Sequence, residues 1–142
     1  MNSIEFLKQV ETSNKAIKKQ LEKVQEYKYK CLIPSQSYSE RVQTSRNVKS
    51  HEDNMIRYLT AKEELEALKA DREEKKHELI TAVHNLEEAK DIEILYLRYV
   101  KGLTFKDIAK RLQFNYTWLV RLHKDALKHF QESFEEWEEV RM

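Results

Sequence analysis

Residues 104–124 set polar, aromatic and basic side chains at helical spacings. Thr104, with the amides that follow it, suits a phosphate, and Lys106 adds charge there. Tyr116, Thr117, Arg121 and Lys124 point away from Leu119 and Leu122 if this stretch is helical. Side chains so placed near a helix start reach base edges in a major groove. Arg121 can bond guanine, and Thr117 and Tyr116 suit a thymine methyl or a phosphate. Lys101, Lys110 and Lys128 add positive charge nearby. Trp118 has two possible places, against the Tyr96 region or against a nucleic-acid backbone. The expected chemistry is contact with double-stranded DNA rather than bond making.

Covalent chemistry lacks its usual parts, so no enzyme, cofactor or metal ion is expected. The single glycine, Gly102, rules out a glycine-rich phosphate loop. Among five histidines, His77 and His84 stand seven apart, but no third ligand has suitable spacing. Cys31, the only cysteine, has no nearby His or basic motif that marks a nucleophile, and it is read as a small buried hydrophobe. The pairs Glu63-Glu64 and Glu73-Glu74 lie on a charged helix with no apolar pocket to tune a carboxylate.

The elements that must hold these residues are short helices. Asp91 to Val100 reads as the first, with Ile92, Leu95, Tyr96 and Tyr99 on its apolar face. Gly102 suits a left-handed cap after it. Thr104 caps a second helix, Phe105 to Leu112. Gln113-Phe114 forms a tight turn, and Asn115 caps a third helix from Tyr116 to about Phe130. Ala109 is the small residue where the pair crosses, with Ile108, Leu112, Leu119 and Leu122 around it. That is the pattern of a helix–turn–helix, except that Gln113 stands where the turn usually has glycine.

The rest of the chain is also helical in pattern. It has 142 residues, one Gly and one Pro, 36% charged and 40% hydrophobic residues, which suits long helices and not a sheet fold. Asn2 and Glu5 make a capping box for a helix from about Ile4 to Lys30. Its stripe is Leu7, Val10, Asn14, Ile17, Leu21, Val24, Lys28 and Cys31. This stripe packs on its own chain or forms a dimer seam whose register Asn14 sets. Pro34 ends the helix. Residues 34–50 read as a polar loop with Arg41, Arg46 and Lys49. Ser50 and Asp53 suggest a second capping box, opening a helix that runs to about Lys90. Its stripe is Tyr58, Ala61, Leu65, Leu68, Arg72, Lys75, Leu79, Ala82 and Leu86.

The expected fold is therefore all-α: a long helical hairpin or coiled coil over 1–90, a helix–turn–helix domain over 91–130, and an acidic helix over 131–142. The net charge of +1 hides blocks of +5 over 1–50, −4 over 51–90, +4 over 91–130 and −4 over 131–142. The acidic end is expected to pack Phe134 and Trp137 on the hairpin, or else to contact polymerase or shield the basic DNA face. If its role is contact, deleting Glu132 to Met142 leaves the rest folded. One cysteine, no secretory signal and no apolar run near the roughly 20 residues of a membrane span suggest a cytoplasmic protein.

Glu93 to Phe130, EILYLRYVKGLTFKDIAKRLQFNYTWLVRLHKDALKHF, resembles region 4 of housekeeping-type sigma factors. More closely, the chain resembles the phage-encoded ArpU/RinA-like late-transcription regulators of Gram-positive bacteria. The shared pattern is Leu97-Arg98-Tyr99, Thr104 to Ala109, Trp118, Leu122-His123 and Ala126-Leu127, with Thr44 to Asp53 similar to a segment before the family's long helix. The resemblance implies DNA binding at a phage or prophage promoter, with contact to host RNA polymerase and a nucleoid-associated place in a bacterial cell. It places Tyr116, Thr117 and Arg121 at base-reading positions and Thr104 and Phe105 near phosphate. Region 4 has Arg and Glu where this chain has Tyr116 and Thr117, and no region 2 is recognisable, so a complete sigma factor is not expected. A homodimer stays open at this stage. The alternatives are a DNA-packaging protein like a small terminase subunit and a helical protein-interaction module.

Overall fold

The computed structural model describes residues 2–32 and 45–141, without the side chains of 45–48 and 141. Pro34 and Arg41 lie outside the described residues. The protein is all-α: α1 (Ser3–Leu7), α2 (Gln9–Leu32), α3 (Ser45–Val83), α4 (Ala89–Leu95), a π-helical turn (Tyr96–Val100), α5 (Phe105–Leu112) and α6 (Tyr116–Arg141). No described helix is long and apolar enough to cross a membrane.

The capping box forms as expected. Asn2 Oδ1 accepts from the Glu5 amide at 2.8 Å, and Glu5 accepts from the Asn2 amide at 3.3 Å. The first helix is not continuous, however, because Lys8 interrupts it between α1 and α2. The second long helix begins at Ser45, five residues before the expected Ser50 cap, so Arg46 and Lys49 lie in α3 and not in a loop. Nothing between Ser45 and Ser50 breaks a helix, so the Ser50 cap is overridden. The helix also stops at Val83 rather than Lys90. The turn after it tucks Leu86 into the core.

The chain divides into two compact units, one of residues 13–71 and one of residues 1–12 with 72–142. This differs from the expected cuts at 90 and 130, because the division falls within the long helices. In the unit of residues 13–71, α2 and α3 pair antiparallel. Ile17 and Val24 meet Ala61 and Leu65, with Tyr27, Tyr58 and Leu68 around them. Gln20 Nε2 donates to the Ala61 carbonyl at 2.9 Å and to Glu64 at 3.1 Å. The stripe packs on its own chain. Asn14, Lys28 and Leu21 stay exposed, and Cys31 is only half-buried.

The other unit holds two apolar clusters. The larger joins Phe6, Leu7 and Val10 to Leu79, Ala82 and Val83, then to Leu95, Val100, Ala126, Phe130 and Phe134. The smaller joins Ile94 and Leu97 to Ile108, Ala109 and Leu119. The segment 94–100 lies between them, so it is buried on more than the one face its spacing suggested. Its last turn is π-helical, with Lys101 N donating to Tyr96 O at 3.0 Å. The wider turn directs Leu97 to one cluster and Tyr99 and Val100 to the other.

The third helix and the acidic helix are one. No breaker lies between Tyr116 and Arg141, and α6 runs through both. Its far part is anchored: Phe6 of α1 meets Phe134 at 5.1 Å and Trp137 at 5.2 Å between ring centroids. Phe134 is 4% exposed. Deleting Glu132 to Met142 therefore removes core side chains, and the expectation that the remainder folds unchanged is corrected.

Candidate nucleic-acid interface

The interface starts from local backbone chemistry. Gly102 takes φ +75°, where other residues are strained, and a Cβ there would meet nothing within 4 Å. The glycine is needed for its backbone, not for space. Thr104 is extended and caps α5, its Oγ1 accepting from the Asp107 amide at 3.2 Å. α5 ends on Gln113 at φ 60°, ψ 40°. Gln113 N donates to Lys110 O, and Phe114 N to Ala109 O at 2.9 Å. This double bond pattern closes the helix with a left-handed residue that is usually glycine. Asn115 then accepts from the Thr117 amide at 2.8 Å and opens α6. Two helices joined by a three-residue turn result, with Ile108, Ala109, Leu112, Leu119 and Leu122 packed in one cluster as their spacing required.

Packing sets which side of α6 faces outward. Leu119, Ala126 and Phe130 are wholly buried. Thr117, Arg121 and Lys124, at steps of four and three, lie opposite them and are exposed. Tyr116 and Trp118 flank this face at 54% and 46% exposure. Among the described residues, Lys106, Arg121 and Lys124 hold no ion pair.

Thr104, Phe105, Lys106 and Tyr116 come together with Arg98 around an open hollow of about 550 Å³. Thr117, Trp118, Arg121 and Lys124 are not in its lining and continue along α6. Arg98 carried no role in the sequence reading. Its guanidinium lies 4.6 Å above the Phe105 ring and donates to Leu103 O at 3.0 Å. It thus fixes the segment after Gly102 and presents cationic charge beside Thr104.

A buried polar pair behind this face was also missed. Tyr99 Oη and His123 Nε2 are 2.9 Å apart, the rings stack, and Phe105 meets His123 edge-on at 4.7 Å. Burial, with help from the Arg98 charge, lowers the His123 pKa to about 4. Burial likewise raises that of the Tyr99 phenol. At neutral pH the phenol is therefore protonated and donates to a neutral imidazole. The signal was His123 on the buried stripe of α6, between Leu119 and Ala126.

A third group is remote in sequence. Asp91, on the first turn of α4, is 5% exposed. His129 Nδ1 donates to its Oδ2 at 2.6 Å. This bond to Asp91 raises the His129 pKa. Glu88 completes a cluster whose ligand-type atoms lie within 4.8 Å of one another.

Fold and site together define an all-α protein that presents a basic, aromatic helix start beside a capped two-turn helix. The family model described as "Protein of unknown function (DUF1492)" matches residues 32–131, most of the chain, and the protein belongs to that family. The match takes in α3 to the middle of α6, including every residue of the candidate interface. No curated protein and no solved structure matches the chain.

Proposed function

We propose that this protein is a sequence-specific DNA-binding transcriptional regulator that reads promoter DNA through the start of α6. The observation that carries the reading is the exposed row Thr117, Arg121 and Lys124, held outward by the buried row Leu119, Ala126 and Phe130. A row of that kind at a helix start, after a short helix and tight turn, suits a major groove. Arg121 acts on a guanine edge and Thr117 on a thymine methyl or phosphate. Tyr116 and Trp118 border the groove. Thr104, Phe105 and Lys106 lie against the phosphate backbone, with the Arg98 charge behind them.

The resemblance to ArpU/RinA-like regulators and to sigma region 4 supports a narrower version. In it the protein activates phage or prophage late genes together with host RNA polymerase, in the bacterial cytoplasm. A homodimer would double the phosphate contacts. The test is selection of bound duplexes from a random DNA pool by the full chain. Enrichment of one motif is expected, and its loss with Arg121→Ala. Retention of the pool without enrichment, or no retention at low salt, would overturn the proposal.

A further inference from the structure

At the start of α4, opposite in charge to the basic interface, five carboxylates and one imidazole line a single hollow of about 330 Å³. They belong to Glu87, Glu88, Asp91, Glu132, Glu136 and His129, and no Lys or Arg is among the lining residues. We propose that Glu88, Asp91 and His129 form a binding site for a first-row divalent cation of the Zn²⁺ or Mn²⁺ type, which ties α4 to α6.

Three features carry this. First, the ligand-type atoms of these three residues already lie within 4.8 Å of one another. Ligands at about 2.1 Å from one ion and at right angles stand about 3 Å apart. The 2.6 Å His129–Asp91 contact need open only slightly to admit the ion. Second, Glu88 is not engaged by the helix it precedes. Glu88 holds the N-cap position of α4, yet its side chain makes no cap hydrogen bond. Third, Asp91 is a nearly buried carboxylate facing other carboxylates, and His129 is the one basic side chain in the lining. One imidazole, even when charged, offsets one of the five carboxylates in this lining, whereas a divalent ion offsets two.

The donor set selects the metal class. One imidazole nitrogen and two carboxylates suit Zn²⁺ or Mn²⁺ better than Mg²⁺, with Zn²⁺ held more tightly than Mn²⁺. Water fills the remaining positions, for which the hollow has room. Glu132 and Glu136 stand in the lining as an outer negative rim. None of these residues belongs to the proposed DNA contact, so the two readings stand or fall separately.

The test is calorimetric titration of the chelator-treated full chain with ZnCl2, MnCl2 and MgCl2, together with thermal unfolding. The expected result is one Zn²⁺ per chain, weaker Mn²⁺, weakest Mg²⁺, and a Tm that rises with Zn²⁺. Glu88→Gln and His129→Gln, both at exposed residues, should each weaken Zn²⁺ by at least about tenfold. The metal-free Tm of Glu88→Gln should equal that of wild type. No saturable Zn²⁺ binding, or Zn²⁺ binding unchanged in both variants, would overturn the site.

Discussion

Acidification should loosen the unit that carries the interface, and His123 sets how much. The imidazole is 8% exposed and bonded to Tyr99. In the folded chain its pKa is about 4, against 6.5 when unfolded. Between these values the unfolded chain binds more protons, so stability falls as pH falls from about 6.5 to about 4 and levels off below. The full difference corresponds to roughly 3 kcal/mol, and partial solvent access reduces it to about 2. His129 acts with the opposite sign. Its raised pKa gives stability that is present below 6.5 and is lost as pH rises through its folded pKa. The His123 contribution must therefore be isolated by a variant. His123→Gln keeps an acceptor for the Tyr99 hydroxyl but does not titrate. Urea unfolding of both chains from pH 7 to pH 4 should show the wild type losing about 2 kcal/mol relative to the variant, a midpoint shift of about 1 M. Parallel curves, or an imidazole resonance that titrates near 6.5, would refute the reasoning.

Two further substitutions test the scaffold. Gln113→Gly relieves a left-handed residue at φ 60° and should stabilise by about 1 kcal/mol, read from urea unfolding. A loss of stability would mean that the Gln113 side chain, not its backbone, holds the turn. Phe134→Ala opens a cavity beside Phe6 and Trp137 and should cost about 3–5 kcal/mol. Charge reversal at the exposed Glu139 should leave the unfolding midpoint unchanged, which separates the anchoring role of this segment from its charge.

The readable parts of the fold were those set by neighbours in sequence. Gly102 through its left-handed backbone and Thr104 through its cap bond fix the start of α5, and Gln113 with Asn115 fixes the turn through bonds to residues within five positions. The same holds for the cluster of Ile108, Ala109, Leu112, Leu119 and Leu122, which one helical spacing determines. Helix ends without such signals were not legible. Ser50 and Asp53 resemble a cap, but the residues from Ser45 continue the helix through them. The change from basic to acidic residues at Glu132 suggested a boundary, yet charge does not break a helix and α6 continues. The π-helical turn arises because residues 96–100 are buried against two clusters, a property of packing that periodicity does not carry. The Asp91–His129 bond spans 38 positions and depends on how α4 meets α6. Ligand spacing along the chain, the rule that discarded His77 and His84, cannot detect it.

The central claim is that the start of α6 reads base edges. Its most direct test is the affinity of the full chain for a selected duplex and for a scrambled one across a salt series. For the wild type, affinity should fall with salt on both duplexes, with the selected one bound more tightly throughout. Arg121→Ala should erase about 1–3 kcal/mol of that preference. Lys124→Ala should weaken both duplexes alike and lower the salt slope by about 1. Equal affinity for the two duplexes at every salt concentration, or a preference untouched by Arg121→Ala, would contradict the account.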